Sequence, residues 1–348
     1  EWADATVNAD NGCSVLSPVC TNCYPMKLAG TRLKHALERA GLTVDSKTGP
    51  VWTGEVRLDE KQLLAPLRWK RPRRIFWNAH GDLFHDAVPD EWIDRVFAVC
   101  ALTPQHTHMI LTKRSARMRE YLNNDFQQVR SQTWCNIEGL AITGKRQSEA
   151  AAEEAEEFVA LSTSLWPLPN VWLGVSVEDQ ARADQRIPDL LATPAAVRFI
   201  SVEPLLGPVD LRAPLYRGEA GITMKGYLRD KAEPDDFHYW ASKLDWVIVG
   251  GESGPGSRPM HPDWACQLRD QCAAADVPFF FKQWGEWAPV CEMGEQLLDD
   301  IYHPAPVSHP DATRRCKVDQ CVLHADGTRF DGDAMFRRPA FEQGSGAM

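Results

Sequence analysis

The sequence lacks long hydrophobic runs and an apolar leader. No stretch of its 348 residues approaches the roughly eighteen consecutive apolar residues of a membrane-spanning helix. The first residues are acidic and polar, unlike the apolar segment of a secretion signal. We therefore expect no membrane partner and a cytoplasmic location. The length fits one large α/β domain or two medium ones.

An excess of positive charge is also missing. The chain has 38 Lys and Arg against 48 Asp and Glu, a net charge of −10, which argues against a broad surface that coats nucleic acid. One dense basic run is present, RWKRPRR at residues 68–74. Such a run is typical of a solvated turn before a strand, and it also has the composition of a phosphate or nucleic-acid contact.

The ten cysteines do not form the dense framework of a small secreted disulfide-bonded domain. In a reducing cytoplasm, clustered cysteines more often indicate a metal or catalysis. A looser set in the tail predicts either a second metal site or scattered loop residues. Its members are Cys291, His303, His309, Cys316, Cys321 and His324.

The tightest cysteine cluster is GCSVLSPVCTNCY at residues 12–24, which contains Cys13, Cys20 and Cys23. The C-x2-C pair has the spacing at which two thiolates reach one metal or cluster, and Cys13 adds a third. A structural zinc site uses four ligands, whereas an iron–sulfur cluster held by three cysteines keeps one iron open. The alternatives are ordinary core cysteines, or a zinc site completed by a distant histidine.

Short apolar runs alternate with amphipathic helices along the chain. This alternation predicts βαβ units and a parallel sheet buried on both faces. We predict a partial (β/α)6 TIM-like barrel over residues 1–285, with insertions at about 124–168 and 212–243 and an irregular C-terminal extension at 286–348. The predicted strands are 3–8, 75–78, 108–112, 171–177, 197–202, 246–249 and 278–281. The predicted helices are 26–40, 90–102, 115–122 with Ser115 as its cap, 148–165, 179–191 and 262–275.

Nearly every apolar run ends in glycine or polar residues. In a β/α barrel the carboxyl ends of the strands carry the chemistry, so these residues are expected to converge with the cysteine loop on one rim. Glycines there let a ligand approach the backbone, carboxylates accept from a ribose or an amine, and a cation takes a carboxylate. Taken singly, each residue is as readily structural. The candidates are Gly81, Asp82, Lys113, Ser176, Glu178, Glu203, Gly250, Gly251 and Glu252.

The cysteine loop, the Gly-Gly-Glu turn and the barrel rhythm together resemble the radical S-adenosylmethionine (SAM) superfamily. The chain is also similar to a phage Gp37/Gp68-like family of unknown function with a three-cysteine motif. The blocks that carry this second resemblance are GDLFHDAVPDEWIDRVFAV (81–99), ILTKR (110–114), WLGVSVEDQ (172–180), SVEPLLGPV (201–209), WVIVGGESGPGSRPMHPDW (246–264) and FFFKQWGEW (279–287).

The superfamily resemblance implies that Cys13, Cys20 and Cys23 hold a [4Fe–4S] cluster whose open iron chelates SAM. It implies a reductant of flavodoxin or ferredoxin type. Gly81 and Asp82 would meet the methionyl amine. Ser176, Glu178 and Glu203 would reach the ribose or the amine, and the backbone of Gly250 and Gly251 would lie near the adenine.

Two features depart from the superfamily pattern. The first cysteine gap is six residues instead of three, and Asn22 replaces the aromatic residue before the last cysteine. The order Cys23-Tyr24 is similar to that of DNA photoproduct lyases of the superfamily, which favours a nucleic acid substrate. Two competing functions are a non-catalytic scaffold that binds zinc, and a hydrolase or transferase that uses the carboxylate rim without radical chemistry.

Overall fold

The computed structural model describes residues 2–123, 167–212, 215–217, 223–228, 243–254, 256–289 and 335–337. The helices and strands before residue 123 are β1 (Ala5–Val7), β2 (Asp10–Asn11), α1 (Tyr24–Gly30), β3 (Thr43–Ser46), β4 (Gly49–Trp52), β5 (Arg57–Leu58), α2 (Glu60–Leu63), β6 (Arg74–Trp77), α3 (Asp90–Leu102), β7 (Thr107–Thr112) and α4 (Ser115–Leu122). The later elements are β8 (Val171–Ser176), α5 (Gln180–Leu191), β9 (Val197–Val202), β10 (Leu215–Arg217), β11 (Thr223–Lys225), β12 (Trp246–Gly250), α6 (Pro262–Ala275), β13 (Phe279–Gln283), β14 (Trp287–Pro289) and β15 (Met335–Arg337).

Seven parallel strands form one sheet in the order β1-β6-β7-β8-β9-β12-β13. The sheet curls into a half-barrel, which confirms the predicted partial TIM-like barrel. Its strands are continuous apolar runs because helices cover one face and a second apolar layer covers the other. In β6, Ile75 and Trp77 pack toward the main core, while Phe76 joins the apolar cluster of Met109, Phe199 and Ile248.

Helices α3 and α6 have the predicted bounds, and α5 begins one residue after the prediction because Asp179 is its N-cap and accepts from Arg182 N–H. The prediction of one helix over 26–40 is wrong. Helix α1 ends at Gly30, where a β-carbon would lie 2.1 Å from the Pro50 side chain of β4.

Ser115 does not cap α4. The N-cap is Arg114, and the Ser115 hydroxyl instead donates to Asp189 Oδ2 at 2.7 Å. The predicted helix at 148–165 and most of the C-terminal extension, including its Cys and His residues, lie outside the described residues. In the 212–243 insertion the structure describes the antiparallel pair β10–β11. No helix in the described ranges is long and apolar enough to cross a membrane.

Candidate functional site

A cavity of about 580 Å3 lies at the carboxyl edge of the sheet. Ligand pockets in proteins commonly measure roughly 300–1,000 Å3, so this space suits a small molecule of cofactor size. Nine of the twelve predicted site residues line it, and Ser176, Glu178 and Gly250 do not. The nine are Cys13, Cys20, Cys23, Gly81, Asp82, Lys113, Glu203, Gly251 and Glu252. The expected convergence on one rim is therefore confirmed for these residues.

The cysteine loop forms one wall of the cavity. A 3-10 turn over Pro18–Asn22 carries Cys20, whose N–H donates to Ser17 O at 2.9 Å. The base of the loop is fixed by the bonds Gly12 N–H to His80 O at 3.1 Å and Gly54 N–H to Cys13 O at 3.2 Å. All three thiols are free, so the loop presents three sulfurs to one shared space.

Two of the three thiols, those of Cys13 and Cys23, have raised pKa values. Burial raises the pKa of Cys13 to about 11, Asp82 adds to the rise, and Arg114 opposes it. Burial also raises the pKa of Cys23, and the charge of Lys113 opposes that rise. Buried thiols with raised pKa values are weak nucleophiles, whereas a bound metal centre deprotonates coordinating thiols outright. The donor set therefore fits a metal centre better than free-thiol catalysis.

A single zinc ion and an iron–sulfur cluster place different demands on three thiols. Tetrahedral zinc with bonds of about 2.3 Å draws its sulfurs to within about 4 Å of one another. In the described part of the chain, no group of three or more His, Cys, Asp or Glu is arranged to hold a metal ion. Each cysteine of a [4Fe–4S] cluster binds a different iron, so its sulfurs lie further apart than those around one zinc ion. The three cysteines here line one cavity.

His80 is the cavity histidine that a zinc site would recruit. Its Nδ1 lies 2.8 Å from Arg39 Nη2, and a guanidinium can only donate. Nδ1 is therefore the acceptor, and the neutral ring carries its proton on Nε2. Burial, with Arg39 adding, lowers the pKa of His80 to about 4. A ring whose two nitrogens are so committed has no lone pair left for zinc.

Asp82 stands directly across from Cys13, but its carboxylate is already fully engaged. Arg114 Nη1 donates to its Oδ2 at 2.9 Å, and both side chains of this ion pair are about nine-tenths buried. Thr112 Oγ1 and Phe84 N–H donate to Oδ1 at 2.6 and 3.1 Å, and Lys113 N–H donates to Oδ2 at 3.1 Å. This carboxylate therefore holds the neighbouring segments together and has no acceptor left for a ligand.

Lys113 is the available cation of the cavity. Its Nζ donates to Ser176 Oγ at 3.2 Å, and it contacts no carboxylate in the described residues. Ser176 thus acts from behind Lys113 and does not line the cavity itself. An ammonium with a neutral partner is able to take a ligand carboxylate without breaking an ion pair.

Glu203 and Glu252 are each paired with a cation. Lys282 Nζ and Gln283 Nε2 donate to the two oxygens of Glu203 at 2.9 and 3.0 Å. Arg258 donates to Glu252 through Nη2 at 2.6 Å and through Nε at 2.9 Å. Burial raises the pKa of Glu252, but the hydrogen bonds from Arg258 outweigh it and the net pKa is lowered.

A link joins the cysteine loop to the segment after β12. Asn22 Nδ2 donates to Glu252 Oε2 at 3.2 Å and to Gly256 O at 2.6 Å, and Arg258 Nη1 donates to Pro18 O at 3.1 Å. Asn22, which departs from the superfamily pattern, therefore has a role of its own in holding the loop against the opposite wall.

The cavity glycines are required by close packing. A β-carbon on Gly251 would lie 1.9 Å from Trp284 O, and one on Gly81 would lie 2.2 Å from Asp10 Oδ2. Asp10 is wholly buried beneath Gly81, and burial, with Asp82 adding, raises its pKa to about 7. Gly250 lies behind the wall, with its β-position 3.1 Å from the Glu203 carboxyl group.

Glu178 is a structural residue. It is buried against Arg186 of α5, whose Nη1 donates to Glu178 Oε2 at 2.9 Å and to Ser176 O at 2.8 Å. Sequence reasoning placed it at the rim because it follows a strand, but the side chain joins the end of β8 to α5 and does not line the cavity.

Sequence reasoning also missed cavity residues. Lys282 and Gln283 follow the last apolar run directly, so the rule that selected the other rim residues could have found them. Ser14 adjoins the first cysteine and lines the cavity. Arg258 does not line the cavity but holds Glu252 there; it lies in the loop between β12 and α6, and no local sequence pattern identifies it.

The basic run 68–74 precedes β6, so it lies at the amino edge of the sheet, opposite the cavity. Two of its arginines are engaged there: Arg73 stacks on Trp69 at 4.6 Å, and Arg74 pairs with Asp4 at 2.9 Å. The run therefore gives no support to a nucleic acid bound at this cavity.

The sequence model of a family described as "Protein of unknown function (DUF5131)" matches residues 1–339. The chain belongs to the DUF5131 family. Comparison with curated proteins and with solved structures gives no match. The match spans the half-barrel and every cavity residue named above. Because the description of the DUF5131 family assigns no reaction, the function has to be argued from the cavity.

Proposed function

We propose that this DUF5131 protein is a radical SAM enzyme that holds a [4Fe–4S] cluster on Cys13, Cys20 and Cys23. One observation carries the proposal: three free thiols and a rim of glycine, lysine and glutamate are walls of the same cavity. When bound by these three cysteines, the cluster would supply the single electron needed for reductive cleavage of SAM. The residues of the chain bind, orient and shield the reactants.

The roles of the rim residues follow from their existing partners. Lys113, whose partner is a hydroxyl, takes the SAM carboxylate. Gly81 and Gly251 present backbone to the ligand in the cavity, and their close packing on Asp10 and Trp284 holds that backbone in place. Glu203 accepts from the ribose, while its other contacts with Lys282 and Gln283 hold it in place. Asp82 and Glu252 orient the walls through their ion pairs with Arg114 and Arg258.

The two competing functions receive less support. A hydrolase that works through the rim would use a cavity carboxylate free to act as acid or base, whereas the three carboxylates lining the cavity in the described residues each contact a cation. A zinc scaffold needs a fourth ligand, and the cavity histidine His80 is committed to Arg39.

The predicted partners remain part of the proposal. The chemistry needs a one-electron donor of flavodoxin or ferredoxin type. A nucleic acid substrate depends only on the order of Cys23 and Tyr24, because the basic run lies at the other edge of the sheet. The similarity to the phage Gp37/Gp68-like family also stays a prediction.

The test is anaerobic reconstitution with iron and sulfide, followed by dithionite, SAM and an assay for 5′-deoxyadenosine. We expect the native protein to bind a cluster and to form deoxyadenosine. Cys20→Ala should abolish product formation, since a ligand to the cluster is lost. The matched control is Cys266→Ala on α6, a half-buried cysteine outside the cavity that should leave product formation unchanged. Zinc uptake without a brown cluster, with SAM left intact, would overturn the proposal.

A second prediction concerns Lys113. Removing one charge-assisted hydrogen bond costs about 1.5–3 kcal/mol, so Lys113→Ala should weaken SAM binding by roughly ten- to a hundred-fold. Calorimetric titration of SAM into the reconstituted protein measures this change. Lys113→Arg keeps the charge and should lose less. Equal affinity of the native and Ala proteins would mean that another group holds the carboxylate.

A further inference from the structure

Arg114 lies behind the cysteine loop and contacts a cysteine of the proposed cluster site. Its Nη1 donates to Cys13 Sγ at 3.6 Å, and its Nη2 donates to Ser14 Oγ at 2.7 Å. The guanidinium is 7% exposed. A donor to sulfur placed out of water at one cysteine is a feature that affects a cluster whether or not SAM is bound.

The guanidinium is fixed in this position. Asp82 accepts its Nη1 and is itself held by Thr112 Oγ1 and two backbone N–H groups. On the other side, Ala87 N–H donates to His85 Nδ1, which places the proton of neutral His85 on Nε2. Nε2–H then donates to Ser14 Oγ, 2.9 Å away. Ser14 Oγ accepts from both Arg114 and His85, so its own proton is left for an acceptor on the cavity side.

Charges near the ligand sulfurs affect the reduction of an iron–sulfur cluster. Reduction adds one negative charge to the cluster, and hydrogen bonds to its sulfurs and nearby cations favour that state. The interaction is stronger out of water because the local dielectric is low. The negative charge of Asp82 disfavours added negative charge at Cys13. Arg114 Nη1 contacts both Cys13 Sγ and Asp82 Oδ2, so its positive charge lies between the two groups. Without Arg114, the Cys13 thiolate would meet the Asp82 carboxylate uncompensated.

We propose that Arg114 is a positioning residue that raises the reduction potential of the cluster, and that Asp82 lowers this potential. The inference rests on the proposed function and deepens it by assigning the control of the electron-accepting step. The step moves one electron from a low-potential donor to the cluster and transfers no proton. Burial lowers the pKa of Arg114, but Asp82 and Cys13 outweigh it and the net pKa is raised, so Arg114 stays a cation throughout.

The test is a redox titration of the reconstituted protein without SAM, followed by visible absorbance and electron paramagnetic resonance. We expect Arg114→Gln to lower the midpoint potential by the equivalent of at least tenfold in the reduction constant, about 59 mV for one electron. Asp82→Asn should raise the potential, because it removes the opposing charge. Arg114→Lys keeps the charge and should fall between Gln and the native protein. The matched control is Arg117→Gln on α4, whose partners are His85 O, Val88 O and Asp90, and whose potential should be unchanged.

Opposite shifts in the Gln and Asn variants would support the inference, since general damage to the fold would not change sign with charge. Native potentials in both variants, or shifts of one sign, would overturn it. If Arg114→Gln does not load iron, Asp82→Asn and Arg114→Lys decide the matter. A native protein that binds no cluster overturns the proposed function itself, and that result is distinct from a loaded protein with unshifted variants.

Discussion

Arg186→Ala is expected to lower the free energy of unfolding by about 3–5 kcal/mol. Arg186 and Glu178 form an ion pair at 2.9 Å whose side chains are 3% and 1% exposed. Breaking a buried pair leaves one charge out of water without compensation, which costs more than the pair itself contributes. The backbone acceptor Ser176 O also loses its donor. Urea or guanidinium denaturation of the purified protein measures the change.

The control is Arg182→Ala on the same helix. Arg182 is 30% exposed and lies 4.0 Å from Glu178 Oε1, so its loss should cost no more than about 1 kcal/mol. The double variant Glu178→Met, Arg186→Met replaces the pair by apolar side chains and should be more stable than Arg186→Ala. A loss below 1 kcal/mol for Arg186→Ala would show that water reaches Glu178 and that the pair is not buried in solution.

Gly251→Ala is expected to distort the cavity wall and to destabilise the fold. The new methyl group would lie 1.9 Å from Trp284 O, a backbone atom that a side-chain rotation cannot move. The segments after β12 and β13 must separate, and overpacking of this kind costs typically about 1–3 kcal/mol. Gly251 N–H would also be drawn away from Gln283 O, its partner at 2.8 Å. Since Glu252 follows directly, SAM binding by the reconstituted protein should fall at least tenfold.

Gly207→Ala is the matched control, because its nearest neighbour would be Asp179 Cβ at an ordinary 3.6 Å. It should retain both native stability and native SAM affinity. Denaturation measures the loss of stability, and calorimetric titration of SAM measures whether the altered cavity wall weakens binding. If Gly251→Ala binds SAM like the native protein, the ligand does not lie against this turn.

The fold was predictable where one local pattern decided the outcome. Helix α3 follows Pro89 and α6 begins at Pro262, and both have an apolar periodicity that no neighbour overrides. The prediction for α1 was wrong: the helix ends at Gly30, which packs closely on Pro50 of β4, twenty residues further along the chain. Tertiary packing outweighed a favourable periodicity there.

The site was predictable in its location and not in its pairings. The carboxyl ends of parallel strands share an edge, so residues such as Gly81 and Glu203 could be assigned to one rim. The partners of the carboxylates come from different strands and loops, as Lys282 does for Glu203, and no local signal specifies them. The direction of Glu178 likewise depends on Arg186, one helix away.

The link between Asn22 and Glu252 joins residues 230 positions apart in the sequence. Contacts of such long range form only after the intervening strands have been brought together. During synthesis the cysteine loop leaves the ribosome first, yet its opposite support is among the later segments of the barrel to be made. If the chain holds the proposed cluster, its assembly is therefore expected to follow folding of the barrel, so that iron would be delivered to a nearly finished protein.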